Sequence, residues 1–85
     1  MPFFCYIVQC ADGSYYTGWT TDPERRVAQH NKGRGSKYTR THRPVTLVYV
    51  EEQSNRSDAM RREYRIKQFG REKKHALVVG GKKKL

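Results

Sequence analysis

Hydrophobic residues fall in short blocks along this chain, and the pattern inside each block predicts an element. Phe3 to Cys10 and Ser14 to Thr20 are rich in aromatic and β-branched residues and read as strands. Between them, Ala11-Asp12-Gly13 fits a three-residue hairpin loop with Gly13 in the left-handed conformation, forming a bulge. Asp12-Gly13 alone would instead make a two-residue turn. Asp22-Pro23 starts a helix, since Asp caps free amides and Pro suits the first helical position. That helix runs through His30 and stops near Gly33. Lys32 to Pro44 holds two glycines, many basic residues and little apolar content, so it reads as a loop. Val45 to Val50 is a third strand. Ser54 to Ser57 caps a second helix that reaches about Phe69, with Gly70 ending it. Arg71 to Val79 forms a last short helix carrying Ala76, Leu77 and Val78. The order predicts one α+β domain over residues 1–79 with an antiparallel sheet. Residues 80–85, with Lys82-Lys83-Lys84, are expected to form a basic tail.

Loop length decides where two tyrosines point. With a two-residue turn, position 6 opposes 19, and Tyr6 and Tyr16 lie on opposite faces. With the three-residue loop, Cys10 opposes Ser14, Val8 opposes Tyr16 and Tyr6 opposes Gly18. The two tyrosines then lie diagonally on one face, within reach of each other. Gly18 leaves room beside Tyr6, because a strand glycine marks close approach of a ligand or backbone. Pattern alone fits stacked core aromatics better than a shared site.

The helices add two more groups. Arg26 and His30 are spaced i, i+4 and share a face of the first helix. Guanidinium grips phosphate with a bidentate fork at any useful pH, and His relays a proton or orients water near neutrality. An ordinary basic helix face carries the same pair. In the second helix Ala59, Met60, Ile66 and Phe69 define an apolar arc at about 100° per residue. Glu63 falls inside that arc, away from Arg61 and Arg65. A carboxylate there has to be paired, protonated or metal-bound. From spacing alone a salt bridge to Arg26 or a neighbour is the stronger expectation.

Charge narrows the partners. Across 85 residues, 18 Lys and Arg oppose 8 Asp and Glu, a net charge of +10 that attracts polyanions, nucleic acid first among them. A generic solubility charge or a ribosome-associated role would give the same excess. In the basic segment, Lys32, Arg34, Lys37 and Arg40 suit phosphates, glycines allow close backbone approach, and Tyr38 can stack on a base. A solvated mobile loop has the same composition. The eight carboxylates form no spaced cluster of the two-metal kind. Glu51-Glu52 is the nearest rival, but adjacent strand residues point to opposite faces. One carboxylate with waters and substrate phosphate suits a single Mg²⁺. The Cys and His residues show no zinc-type spacing. Cys5 and Cys10 fall on opposite faces of one strand and cannot bridge each other. With no signal-like start and no apolar run of membrane-spanning length, a reduced cytosolic protein with no membrane partner is the default expectation.

The stretches Phe4 to Thr20, with Cys5-Tyr6-Ile7 and Tyr16-Thr17-Gly18 at their heart, and Asp22 to Asn31 resemble the GIY-YIG nuclease superfamily. Ser36 to Arg40 and Arg61 to Lys67 complete the match, and the order of all four is specific. The resemblance is greatest to the small stand-alone bacterial members of the superfamily. It implies a small three-stranded antiparallel sheet flanked by helices, and phosphodiester hydrolysis with one divalent metal, Mg²⁺ with Mn²⁺ as a substitute. Residue by residue, it implies Tyr6 and Tyr16 as the motif tyrosines, one of them the general base. Arg26 would be the phosphate-stabilising arginine, His30 its helper one turn on, and Glu63 the metal ligand. Gly18, Lys32, Arg34, Lys37, Tyr38 and Arg40 are the expected nucleic-acid contacts. Three positions depart from the pattern: Cys5 replaces the name-giving glycine, Trp19 stands where several active relatives carry Lys, and no Asn follows Glu63 where some relatives place one. The resulting expectation is a metal-dependent DNA endonuclease, with repair or recombination as its setting. Two alternatives stay open: a non-catalytic nucleic-acid-binding module derived from the nuclease fold, and a subunit whose protein partner supplies specificity.

Overall fold

The computed structural model describes residues 2–81. It contains β1 (Phe3–Gln9), β2 (Tyr15–Thr20), α1 (Pro23–Asn31), α2 (Lys37–Arg40), β3 (Thr46–Gln53), α3 (Arg56–Lys67) and α4 (Arg71–Gly80). The strands form one antiparallel sheet in the order β2-β1-β3, the α+β architecture expected. Because β1 is central, both its faces are covered, and Cys5, Tyr6, Ile7 and Val8 are all buried. That is why β1 reads as a near-continuous apolar run.

The hairpin takes the three-residue loop. Gly13 has φ +88°, its N–H donates to the Cys10 carbonyl at 2.9 Å, and the Cys10 N–H donates to the Ser14 carbonyl at 2.8 Å. The Asp12 carboxylate accepts from the Ser14 N–H at 3.0 Å and from its hydroxyl at 2.6 Å, pinning the turn. Tyr6 therefore opposes Gly18, and Val8 opposes Tyr16.

The sheet separates two apolar layers. Tyr6, Val8, Cys10, Val45, Leu47 and Val50 form one, joined by Tyr16 and by Val27 of α1. Ile7, Tyr49 and Ile66 form the other, joined by Phe69, Leu77 and Val78 from the α3–α4 side. A register shift in β3 explains the membership. Ile7 pairs with Tyr49 but Val8 pairs with Leu47, so Val48 is an extra, bulged residue. The bulge lets Leu47 and Val50 serve the same layer although they are three positions apart.

Several boundaries differ from the sequence reading. β1 stops at Gln9 and β2 starts at Tyr15, each one residue short at the turn. β3 runs on to Gln53 because Glu51 is not left bare: the Arg62 guanidinium, the Tyr49 hydroxyl and the Gln53 amide all donate to it. The 32–44 segment is not a plain loop. It holds α2, whose N-cap Ser36 accepts from the Thr39 N–H at 3.1 Å, while Thr39 Oγ1 accepts from the Ser36 N–H at 3.2 Å. Asn55 caps α3, which ends at Lys67, and Gly70 begins α4 rather than closing α3. Met60, expected on the apolar arc, is exposed; the buried stripe narrows to Ala59 and Ile66 because one step past Ala59 turns the side chain to solvent. Cys5 and Cys10 are buried, free thiols. The predicted Lys82-Lys83-Lys84 run lies outside the described residues. Among those described, no helix is long and apolar enough to cross a membrane.

Candidate functional site

α1 is built to hold two side chains against the sheet. Asp22 caps it by accepting from the Arg25 N–H at 3.2 Å, and Pro23 occupies its first turn. At its end Gly33, with φ +79°, lets the Arg34 N–H reach the Gln29 carbonyl at 2.9 Å and its own N–H reach that of His30 at 3.0 Å. The helix so fixed presents Arg26 and His30 to the layer containing Tyr6 and Tyr16.

A depression of about 460 Å³ opens there, lined by Tyr6, Tyr16, Gly18, Trp19, Thr20, Thr21, Arg26, Gln29 and Glu63. Four of the five residues singled out for catalysis border it. The fifth, His30, stands behind Tyr6, fully buried. A larger hollow of about 890 Å³ lies between β3, α3 and α4 and includes none of the five. Its charged lining is Glu51, Glu52, Arg62 and Lys73, of which Glu51 and Arg62 pair with each other.

Tyr6 and His30 form one unit. Tyr6 Oη is 2.8 Å from His30 Nε2, and His30 Nδ1 is 2.7 Å from Thr39 Oγ1. Burial pushes the Tyr6 phenol up to about 12, with the Arg26 guanidinium working against it. Burial, reinforced by Arg26, pushes His30 down to about 4, so its ring is neutral at neutral pH. Two glycines make room for the pair. A Cβ on Gly18 would overlap the Tyr6 phenol, and one on Gly35 would overlap the His30 imidazole. Tyr16 meets the His30 ring edge-on, with centroids 5.4 Å apart.

Arg26 is half-buried and donates to the Gln29 side-chain oxygen at 3.1 Å, which keeps its charge over the depression. Glu63 is also half-buried, its side chain 22% exposed, and its carboxylate pairs with Lys67 Nζ at 3.4 Å one turn along α3. The same ammonium lies 5.6 Å from the Tyr16 ring centroid. Glu63 is thus paired with a neighbour and not with Arg26. It is the one carboxylate among the residues lining the depression, and no group of three or more His, Cys, Asp or Glu clusters among the described residues.

Gly18 lines the depression, whereas Lys32, Arg34, Lys37, Tyr38 and Arg40 do not. The four basic residues are exposed around the end of α1 and on α2. Tyr38 lies flat on His42 at 4.0 Å between centroids, stacks more loosely on Tyr16 at 6.1 Å, and donates to Ser14 Oγ at 2.6 Å. One of its faces is therefore already covered. Sequence reasoning missed Thr39 and Lys67 and gave Gly35 a different task. The i, i+4 spacing of Glu63 and Lys67 was a usable signal. Nothing in the spacing of His30 and Thr39 marks them as partners.

Residues 2–76 match the GIY-YIG catalytic domain family. The chain is 60% identical over 72 residues to a UPF0213 protein of Halobacterium salinarum, covering 85% of this chain and 94% of that one. It is 56% identical over 75 residues to a UPF0213 protein of Staphylococcus haemolyticus, covering 88% and 92%. Among solved structures it is similar to the solution NMR structure of a UPF0213 protein from Bacillus halodurans, at 46% identity and TM-score 0.59 over 93% of this chain and 84% of that one. A solution NMR structure of an E. faecalis protein matches at 38% identity and TM-score 0.62, covering 94% and 85%.

Proposed function

The chain belongs to the GIY-YIG family, among its small UPF0213 members, and on that premise we propose that it is a metal-dependent endonuclease hydrolysing phosphodiester bonds in DNA, in repair or recombination. The observation that carries this reading is the meeting of Tyr6, Tyr16, Arg26 and Glu63 around one depression, with buried His30 bonded to Tyr6.

A divalent cation fits the donor set. One carboxylate beside open space suits Mg²⁺ or Mn²⁺, which keep several waters and take few protein ligands. Glu63 would hold it, and once bound it would polarise a phosphate oxygen and stabilise transition-state charge. The chain's own residues supply the rest. Arg26, held by Gln29, places a permanent positive charge where the phosphate gains negative charge during attack. Tyr6, rather than Tyr16, takes the proton of the attacking water, because Tyr6 is the tyrosine hydrogen-bonded to His30. Tyr16 lines the same depression from β2. The exposed cations on α1 and α2 hold the flanking backbone without reading sequence.

The test is a cleavage screen with Mg²⁺ and Mn²⁺ on duplex, branched and single-stranded DNA, comparing wild type with Glu63→Gln. The wild type should cleave only with metal. Glu63→Gln should lose roughly 10²- to 10³-fold, the usual cost of removing one transition-state stabiliser. Its thermal midpoint should barely move, because the partner Lys67 is exposed. Unchanged cleavage in folded Glu63→Gln would remove Glu63 from the mechanism. Absence of wild-type cleavage on every substrate, with salt-sensitive binding intact, would make the protein a binding module instead.

A further inference from the structure

The Tyr6–His30–Thr39 chain has a direction. Tyr6 is buried, and the one acceptor beside its hydroxyl among the described residues is His30 Nε2 at 2.8 Å, since the Arg26 guanidinium that also acts on the phenol can only donate. A buried O–H needs an acceptor, so Nε2 must offer its lone pair. The imidazole proton then sits on Nδ1, facing Thr39 Oγ1 at 2.7 Å. Thr39 can receive it. Its own hydroxyl donates to the Ser36 carbonyl at 3.2 Å, leaving oxygen lone pairs for His30 Nδ1–H and for the Ser36 N–H at 3.2 Å. Every donor in the chain then has an acceptor. His30 and Thr39 are both fully buried, and Gly35 closes over the imidazole, so no water competes for either ring nitrogen.

We propose that Thr39 is a positioning residue that fixes His30 as the Nδ1–H tautomer and thereby obliges Tyr6 to donate inward, with its oxygen lone pairs turned toward the depression. Tyr6 is then an acceptor for a water proton without first becoming a free phenolate. The proton balance follows. The water oxygen bonds to phosphorus with its own electron pair, and its proton passes to Tyr6 Oη as the Tyr6 proton passes to His30 Nε2. The bond from phosphorus to the leaving oxygen breaks with its pair, and that oxygen takes a proton from solvent. His30 returns its proton by the same route before the next turnover. The short helix α2 thus acts on the site from behind: its N-cap Ser36 orients Thr39, Thr39 orients His30, and His30 orients Tyr6.

The catalytic consequence rests on the nuclease reading, but the tautomer can be read without DNA or metal. The experiment is two-bond ¹H–¹⁵N correlation NMR on protein labelled at the histidine ring nitrogens, with His42→Asn and His75→Gln used to assign His30. Near neutral pH, wild-type His30 should show a protonated Nδ1 and a bare Nε2. Thr39→Ser should keep that pattern. Thr39→Val, nearly isosteric but without the acceptor, should lose it, and cleavage should fall at least tenfold with DNA affinity unchanged. A protonated Nε2 in the wild type would overturn the proposal even if no Thr39 variant folds. So would a Thr39→Val spectrum identical to the wild type. If the protein cuts nothing, the spectra still decide the tautomer, so the two readings fail separately.

Discussion

Single residues here are set by burial more than by charge. His30 carries the clearest pH signature. In the folded protein its pKa lies at about 4, against an ordinary value of 6.5. Between those values the unfolded chain binds a proton that the folded chain refuses. The stability contribution of neutral His30 is therefore complete above about pH 6.5 and is lost as pH falls toward 4. The span is worth on the order of 3–4 kcal/mol, at about 1.4 kcal/mol per pH unit. Urea midpoints measured from pH 7 to pH 4 should fall more steeply for wild type than for His30→Gln. Parallel curves would mean that His30 titrates as if exposed. The sequence showed Arg26 and His30 sharing a helix face, but not that His30 would be sealed in and Arg26 left at the rim. Periodicity assigns a face; it cannot say how deep along that face the core reaches.

At the scale of elements, turn chemistry carried the most information. Ala11-Asp12-Gly13 admitted two loops with opposite consequences for the tyrosines, and the structure takes the one that puts Tyr6 and Tyr16 on one face. Gly13 is what that loop requires, since φ +88° is open to glycine and costly for other residues. No atom lies within 4 Å of where its Cβ would be, so Gly13→Ala should be destabilising through backbone strain alone. We expect a loss of about 1–2 kcal/mol in denaturant unfolding, with the cross-strand contacts between Tyr6 and Gly18 unchanged by NMR. A neutral Gly13→Ala would mean that the turn relaxes. α2 was not legible because Thr39 stands where a capping box usually has Glu or Gln. The far end of β3 was missed because Glu51 looks solvent-bound until Arg62, eleven residues on in another element, is placed beside it. Such long-range pairing leaves no local pattern.

For the whole molecule, the net charge of +10 and the exposed cations of α1 and α2 predict binding dominated by counterion release. Contacts to about four to six phosphates should give a log–log salt slope of roughly −4 to −5 on duplex DNA, with little sequence preference. A slope near zero at measurable affinity would exclude charge as the driver. The family and the antiparallel sheet could both be anticipated from the order of motifs along the chain; of the five side chains expected to share a site, four line the depression and His30 lies behind it. The two hollows themselves were not legible, because the larger one collects apolar wall from β3, α3 and α4 while the depression beside Tyr6 is smaller and more polar.

Trp19 forms part of the depression's wall, with the Arg56 guanidinium 5.5 Å from its ring and Phe3 on a tilted contact at 6.3 Å. It is also the chain's single tryptophan. This protein therefore carries its own fluorophore at the depression. A strand entering the depression displaces water from the indole and offers bases that quench it, so emission should change on occupancy with no label attached. In chelator, where nothing is cut, that signal reports binding alone; on adding Mg²⁺, the same sample reports departure of product. One indole at the rim of the site thus makes occupancy and turnover optically separable in one cuvette.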